Sequence, residues 1–358
     1  MAHTSAVNSA MSACLAAVAA CRVRSDDLHP VHARNIGLYP AWERWAGQEA
    51  GAGRFGVGDV LARMHLRFSA NDNQVRDILL RHLAFDRQVD RDCSLDVVEG
   101  NAMFATAALM FWQRMNVVVE LTPALERLLT DSDLGEDIPA AQLRPRMAAC
   151  YIRFGSAMRH AVVLPAASRI PENHIEGAYV FESEHKGKRA VSIVAIYAAG
   201  RDQPLGISSL DFVIDDEQEA LVGVIRRQCG GSAGSASILA QQEALAQLCA
   251  KVFLYWDMEQ AHQATLTPHR DLSLRLRGMG PRKAAKLLRQ TARLYDRVVL
   301  GPSSPPSHLC AGSDGMAPHW RRGHFRMQAH GPRMSLRKVI LIAPTVVRAD
   351  RLTDDGFT

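Results

Sequence analysis

The spacing of apolar residues is helical near the N-terminus. Apolar residues recur there at intervals of three and four: Val60, Leu61 and Met64 in one stretch, and Val75, Ile78, Leu79 and Leu83 in the next. This spacing predicts a mainly helical N-terminal region, residues 1–134.

A strand and a helix are predicted at the end of this region. Residues 116–121 (NVVVEL) are rich in β-branched side chains, which favours a strand. Thr122 then precedes Pro123, an arrangement typical of a helix N-cap followed by proline at the first helical position.

The period changes in the middle of the chain. Four β-branched and aromatic runs of strand length occupy 150–155, 177–183, 190–198 and 207–214. Between the second and third, Gly187 can supply the positive φ of a hairpin turn. We therefore expect an antiparallel sheet of about four strands.

Two helices are predicted to pack on this sheet, at 215–228 and 237–260. The second carries one apolar face, which favours the core: Leu245, Leu248, Cys249, Val252, Phe253 and Trp256. Residues 135–261 are thus predicted to form an α+β core domain.

The region 262–358 is predicted to contain a basic helix at 281–299, opened by Pro281. Five cations recur along it at steps of three and four residues and would share one face: Arg282, Lys286, Arg289, Arg293 and Arg297. An arginine-rich segment follows at 319–344. The whole chain is therefore assigned to the α+β class, with a helical N-terminal region, a central antiparallel sheet and a basic C-terminal region.

Charge is distributed unevenly beneath a net charge of +5. Residues 262–358 contain 17 Lys/Arg and 6 Asp/Glu (net +11), whereas residues 1–261 contain 25 and 31 (net −6). A basic third on an acidic body indicates an anionic partner, with nucleic acid first and a membrane surface or acidic protein segment second. A solvated basic face is the simpler alternative.

The seven cysteines are scattered and form no CxxC pair, which is typical of reduced thiols and favours a cytoplasmic protein. The apolar runs at 13–21 and 102–112 are far below the ~20 residues that span a bilayer, so no membrane segment is expected.

Familiar catalytic motifs are not convincing. GGSAG at 230–234 resembles a nucleophile elbow around Ser232, but no strand precedes it, so a linker is the better interpretation. His319, His324, His330 and Cys310 fit no zinc spacing. We predict no metal and no cofactor.

The arginine-rich segment favours binding of RNA. Its cations can contact phosphates, and its aromatic residues and histidines can stack on bases. The residues concerned are Trp320, Arg321, Arg322, His324, Phe325, Arg326, Arg333, Arg337 and Lys338. In the structural alternative, Trp320 and Phe325 fill the core and the arginines pair with the acidic body.

Two other functions are considered. His324 with Arg322 and Arg326 could cleave RNA by general acid–base catalysis. A DNA-binding protein is less favoured, because 286–296 has no partner helix at helix-turn-helix distance.

The segment 319–344 resembles a C-terminal signature of proteins from phages, plasmids and other mobile elements. The matching positions are Arg322, Gly323, His324, Phe325, Arg326, Gln328, Gly331, Ser335, Arg337, Lys338, Ile340, Ile342 and Pro344. With the segments 136–155 and 175–183, the likeness is to the family of a type V-A anti-CRISPR protein that suppresses production of the effector nuclease.

This resemblance implies a cytoplasmic protein of a mobile element that lowers expression of the CRISPR effector nuclease. It implies action during translation, through contact with the nascent polypeptide and loss of its mRNA. RNA or the ribosome and a nascent polypeptide are therefore the expected partners. A non-enzymatic regulator is favoured over a ribonuclease, and Gln328 joins the expected binding residues.

Overall fold

The computed structural model describes a large part of the chain from residue 114 to residue 347, and a few positions before it. The described residues are 29–31, 104, 107–108, 110–112, 114–162, 174–185, 187–198, 205–230, 236–280, 283–285, 287, 291, 293–303, 309–310 and 319–347. The helices predicted around Val60 and Ile78, and the linker at 231–235, lie outside these residues.

Thirteen strands and five helices are complete within the described residues. The strands are β1 (Asn116–Leu121), β2 (Ser132–Leu134), β3 (Ala149–Arg153), β4 (His174–His185), β5 (Lys188–Ala198), β6 (Leu205–Val213), β7 (Gln263–Leu266), β8 (Arg297–Leu300), β9 (Leu309–Cys310), β10 (His319–Arg321), β11 (Gly323–His330), β12 (Leu336–Ile342) and β13 (Thr345–Val347). The helices are α1 (Pro123–Thr130), α2 (Ser156–Val162), α3 (Leu221–Gly230), α4 (Ala236–Asp257) and α5 (Pro268–Arg277).

A seven-stranded sheet with the order β6-β5-β4-β3-β1-β8-β7 forms the centre of the fold. The four predicted strands β3 to β6 pair antiparallel, which confirms the α+β class, and Gly187 takes φ +78° in their hairpin. The sheet continues beyond them because β1 pairs parallel with both β3 and β8. It therefore takes strands from all three predicted regions of the chain.

One face of this sheet packs against the helices in a single hydrophobic cluster. Ile152, Ile193 and Phe212 from the sheet meet Leu248 and Phe253 of α4 there, all at most 3% exposed. The apolar face predicted for α4 is confirmed, because all six of its residues are buried.

Aromatic residues cover the opposite face. The rings of Tyr151 and Tyr179 lie 4.8 Å apart, and Phe111 from the N-terminal side packs edge-on against Tyr179 at 5.9 Å. Each of these three side chains is at most 1% exposed. The sheet is thus buried on both sides, which explains the near-continuous apolar character of its central strands.

The start of α1 follows from its sequence. Thr122 has an extended backbone, its hydroxyl accepts a hydrogen bond from the Leu125 amide at 3.2 Å, and Pro123 occupies the first turn. Gly301 packs directly against Thr122 and Leu125 with φ +108°, where a side chain would be strained.

The basic helix predicted at 281–299 does not reach residue 299 in the structure. The described residues are helical at 283–285, 287 and 291, whereas Arg297 begins strand β8. Arg297 pairs in register with Val118, and its Nε lies 3.0 Å from Glu120 Oε2. Pairing of a β-branched run with β1 outweighs the helical spacing, so Arg297 does not belong to the predicted cationic helix face.

Several elements of the C-terminal region were not predicted, among them β7 and α5. All four residues of β7 are exposed, so they carry no alternation. The signal for α5 was present, since Thr267 precedes Pro268 as Thr122 precedes Pro123. Asp296 completes this helix start by accepting hydrogen bonds from the His269 and Arg270 amides at 3.0 and 3.1 Å.

Replacing Thr122 with alanine should lower the free energy of unfolding by about 1 kcal/mol, because the Leu125 amide loses its acceptor. Chemical denaturation measures this change. Thr265→Ala in the exposed strand β7 is the matched control, with an expected cost of a few tenths of a kcal/mol. Equal losses for the two variants would contradict the capping role of Thr122.

Candidate binding surfaces on the C-terminal hairpin

The arginine-rich segment folds into a β-hairpin, here called the C-terminal hairpin. It consists of β11, the turn Gly331–Ser335 and β12. The two strands pair antiparallel from His324↔Ile342 to His330↔Leu336. On its other side β11 pairs parallel with β2, from Gly323↔Ser132 to Phe325↔Leu134. Pairing with β2 joins the hairpin to the body of the protein.

The inner face of the hairpin is part of the hydrophobic core. Phe325 is fully buried, and Met327, Val339 and Leu341 pack against the same cluster. Alternation along β11 places these side chains on one side of the strand. The prediction that Phe325 stacks on a base is therefore wrong, because its ring fills the core and has no exposed surface.

The outer face carries six other residues of the signature. His324, Arg326 and Gln328 alternate with the buried residues of β11, and their cross-strand neighbours are Ile342, Ile340 and Lys338. These six residues define the outer face. Arg326 and Lys338 are exposed, and Arg326 Nη2 donates to Gln328 Oε1 at 2.8 Å. The structure thus brings four predicted binding residues together on one surface.

Close approach between β2 and β11 requires glycine at two positions. A Cβ on Gly323 would lie 2.6 Å from Ser132 Oγ and 2.8 Å from the Ile342 carbonyl oxygen. A Cβ on Gly135 would overlap the Phe325 carbonyl oxygen. The glycine of the signature is therefore explained by packing of three strands.

A buried lysine lies beneath this junction. Lys251 of α4 is 5% exposed, and its Nζ donates to the carbonyl oxygens of Leu129 at 2.9 Å and Ser132 at 2.5 Å. Burial lowers its pKa to about 8; Asp133 and Asp131 oppose this shift, and Arg322 adds to it. Lys251 therefore ties α4 to the end of α1 and the start of β2.

Arg322 contributes to the same junction from outside. Its Nη1 lies 3.3 Å from Asp133 Oδ1, and its Nη2 donates to the Thr130 carbonyl oxygen at 3.5 Å. Its side chain is 59% exposed, so the ion pair contributes at most about 1 kcal/mol. The alternative in which arginines pair with the acidic body is therefore observed for Arg322.

A groove runs between the end of α4 and the hairpin, with a volume of about 360 Å³. Its apolar lining includes Leu254, Met258, Met327, Val339 and Leu341. Acidic residues, Asp257 and Glu259, border it on the α4 side, and basic residues, His330, Arg337 and Lys338, border it on the hairpin side. The groove is therefore lined by both apolar and polar groups and carries opposite charges at its two borders.

Strand β12 presents a free edge beside this groove. In the described part of the chain β12 pairs with β11 and with no other strand. The ion pair between Lys338 Nζ and Glu259 Oε2 is long, at 3.9 Å, and Glu259 is 88% exposed. Among the residues that the structure describes, little therefore closes the groove, and no strand pairs with the outer edge of β12, whose backbone groups can pair with another chain.

The other predicted binding residues are placed in different ways. Arg321 and Arg337 are exposed, and Arg293 is exposed in a turn before β8. Trp320 lies in β10, which pairs antiparallel with β13. Arg282, Lys286 and Arg289 lie outside the described residues.

The groove residues on α4 were missed by sequence reasoning. Asp257, Met258 and Glu259 fall at the end of a predicted core helix, and no local signal indicates that this end meets a hairpin about 70 residues further on. Ile340 and Ile342 could have been placed, because strict alternation with Val339 and Leu341 sets them on the opposite face.

Two searches of the described residues gave negative results. No group of three or more His, Cys, Asp or Glu side chains is arranged to hold a metal ion there. None of the helices described has the length and apolar character needed to cross a membrane.

Comparison with protein families places this architecture among anti-CRISPR proteins. Residues 119–349 match the AcrVA2-like family, anti-CRISPR type V subtype A2. This match covers more than half of the chain, from β1 to the residues after β13. The chain therefore belongs to the AcrVA2-like family, which confirms the resemblance seen in the arginine-rich segment.

A crystal structure of AcrVA2 is among the solved structures that this chain matches. The identity is 13%, the TM-score is 0.39, and the match covers 85% of this chain and 97% of that one. The comparison with curated proteins gave no match.

Replacing Gly323 with valine should destabilise the protein by about 2–4 kcal/mol, because the new side chain must displace β2 or β12. Thermal unfolding measures the change. Gly230→Val is the control, since a Cβ at Gly230 meets nothing within 4 Å. A Gly323→Val protein as stable as the control would contradict the three-strand junction.

Lys251 should also make stability depend on pH. Its folded pKa of about 8 lies below its ordinary value, so between about pH 8 and 10.5 the unfolded chain binds more protons than the folded one. The free energy of unfolding therefore gains a rising contribution across this window, as the cost of the buried charge is relieved. Urea denaturation of the wild type and Lys251→Met from pH 7 to 10 measures it.

The difference in unfolding free energy, wild type minus Lys251→Met, should grow as the pH rises. The methionine has a similar length and no charge, so all other titrating groups are shared by the two proteins. A constant difference would show that folding does not lower the pKa of Lys251.

Proposed function

We propose that this protein lowers production of a CRISPR effector nuclease during translation. It does so by holding the nascent nuclease polypeptide, with RNA or the ribosome as a second contact. Membership of the anti-CRISPR type V subtype A2 family supports the target system. The groove beside the free edge of β12 is the observation that carries the mode of action.

A nascent chain is a suitable ligand for this site because it has no tertiary structure when it is recognised. Seven residues of β12 offer a stretch of roughly 23 Å at about 3.3 Å per residue. An extended segment can add there as a further strand, and its backbone then pairs with the free N–H and C=O groups. Strand addition needs an unfolded partner, which a polypeptide under synthesis supplies.

The groove can add side-chain selectivity to this backbone contact. Every second side chain of an added strand points to the same side, where Met258, Val339 and Leu341 offer an apolar lining. A volume of about 360 Å³ accepts a few side chains. An extended segment with alternating apolar residues therefore fits this site.

The borders of the groove set the charge of the ligand. Asp257 and Glu259 favour a basic residue on the α4 side, and Arg337 and Lys338 favour an acidic residue on the hairpin side. A ligand carrying both would replace the long Lys338–Glu259 pair with two contacts of its own. The orientation of the bound segment would follow from this asymmetry.

Action on a nascent chain places the protein in the cytoplasm, where translation takes place. It also fits a protein carried by a phage or plasmid, because lowering nuclease synthesis protects such an element before the nuclease assembles. The effect on the mRNA would follow from arrest of the ribosome that makes the bound polypeptide.

A ribonuclease is the second candidate function. The register of β11 and β2 sets His324 opposite Asp133, and Arg326 lies on the same face as His324. A histidine oriented by a carboxylate can act as a general base, and an arginine can stabilise a phosphorane-like charge. Incubation of RNA with the protein, followed by electrophoresis, should show intact RNA under the main proposal and cleavage abolished by His324→Ala under this alternative.

Replacing Glu259 with lysine should weaken capture of the nascent nuclease chain about three- to tenfold, because it reverses one border of the groove and repels Lys338. Stalled ribosomes bearing nuclease chains of increasing length provide the measurement. In cells, the fall in nuclease protein and mRNA should shrink in parallel.

Glu184→Lys is the matched control, because it makes the same charge change at an exposed position at the end of β4. It should retain full capture. If Glu259→Lys captures nascent chains as well as Glu184→Lys does, the groove is not the polypeptide site.

A further inference from the structure

The outer face of the C-terminal hairpin has the composition of a nucleic-acid platform. It combines the cations Arg326 and Lys338 with the imidazole of His324, the amide of Gln328 and the aliphatic chains of Ile340 and Ile342. We propose that this face binds single-stranded RNA. The proposal rests on the proposed function in one respect only: the proposed function identifies the RNA in the cell as the transcript being translated.

Charge is the first argument for RNA. Residues 319–347, which include both strands of the hairpin, contain no Asp or Glu. The carboxylate next to the outer face in the sheet is Asp133, and Arg322 lies 3.3 Å from it. A bound phosphodiester therefore meets Arg326 and Lys338, while the adjacent carboxylate is offset by Arg322.

The arrangement of Arg326 is the second argument. Its Nη2 donates to Gln328 Oε1 at 2.8 Å, a neutral partner two residues further along the same face. This hydrogen bond orients the guanidinium, and because the partner is neutral, the positive charge of Arg326 is not offset by it. Its remaining N–H groups can form the paired hydrogen bonds that arginine makes to phosphate.

Strand geometry gives the surface a repeat that suits a nucleic-acid backbone. Residues two apart on β11 lie about 6.6 Å from each other, and the paired residues of β12 lie about 5 Å to the side. Arg326 and Lys338 occupy diagonal positions in this grid, since their partners are Ile340 and Gln328. Two successive phosphates of an extended strand can reach them together.

The apolar and imidazole groups provide contacts for bases. Ile340 and Ile342 are half-buried on the outer face, although the core lies on the other side of β12. An unstacked base can lie on these chains and against His324, as bases do on the sheet platforms of RNA-binding domains. Duplex nucleic acid hides its bases, so the surface favours single strands.

The two sides of the hairpin therefore take different ligands. The groove side offers a strand edge with a partly apolar lining, whereas the outer face offers cations and half-buried aliphatic chains. Lys338 and Ile340 lie at the border, since both also line the groove and Lys338 reaches Glu259. Arg326 is on the outer face and does not line the groove, which makes it the position for a selective test.

The test is fluorescence anisotropy of a labelled twelve-nucleotide oligo-U RNA with the full-length protein at several salt concentrations. Arg326→Gln should weaken binding about five- to tenfold and reduce the slope of log affinity against log salt by about 0.7, the loss of one phosphate contact. His324→Ala should weaken binding with an unchanged slope, because it removes a base contact.

Lys188→Gln is the matched control, since it removes one exposed charge from the turn-side end of β5. It should bind RNA like the wild type. Thermal unfolding of each variant checks that the hairpin is intact, and Arg326→Lys should recover part of the affinity as a second, conservative variant.

Several outcomes would overturn the proposal. These are absence of saturable RNA binding, an equal loss for Lys188→Gln, equal affinity for the corresponding oligo-dT, or stronger competition by polyglutamate than by unlabelled RNA. The last result would indicate an acidic protein as the ligand instead.

A parallel measurement of nuclease protein in cells separates this proposal from the proposed function. If the wild type lowers the nuclease level but binds no RNA, the RNA site is wrong and the proposed function stands. If RNA binding behaves as expected but the nuclease level does not fall, the RNA site stands and the proposed function is wrong.

Discussion

The pairing of β11 with β2 is the interaction on which the binding surfaces depend. Gly323 lets the strands approach, Phe325 fills the core behind them, and Lys251 ties the end of α1 and the start of β2 to α4. Burying a lysine costs free energy, and here its Nζ donates to two backbone carbonyl oxygens, that of Leu129 in the last turn of α1 and that of Ser132 at the start of β2. The hairpin is thereby fixed on a rigid body.

Fixing the hairpin separates its two sides chemically. The inner side closes the core and forms one wall of the groove, while the outer side presents His324, Arg326 and Gln328. A single short signature therefore serves two purposes, since Gly323 and Phe325 are explained by packing, whereas the polar residues that alternate with Phe325 do not have that role. If the two proposed ligands bind together, a nascent polypeptide and the RNA that encodes it would lie on the two sides of the same hairpin.

Local sequence patterns were sufficient for part of this structure. The Thr122–Pro123 helix start, strands β3 to β6 and the buried face of α4 follow from periods of two and 3.6 and from capping chemistry. Strand β8 and the docking of β11 on β2 depend on partners about 180 to 190 residues away, and the groove on partners about 70 residues away, which no local pattern indicates. Arg297 shows the consequence, because its helical spacing was real but pairing with β1 determined its structure. For Phe325, the alternation of apolar and polar residues in HFRMQ was enough to predict that its side chain lies on the apolar face of the strand.

Photo-crosslinking on a stalled ribosome bearing the nascent nuclease would test the central claim most directly. A photoreactive amino acid is placed either at Met258 in the groove or at Arg326 on the outer face, and the captured partner is identified. The account predicts polypeptide from Met258 and RNA from Arg326. Capture of the same partner from both positions, or of neither partner from either, would contradict the assignment of two ligands to two sides of one hairpin.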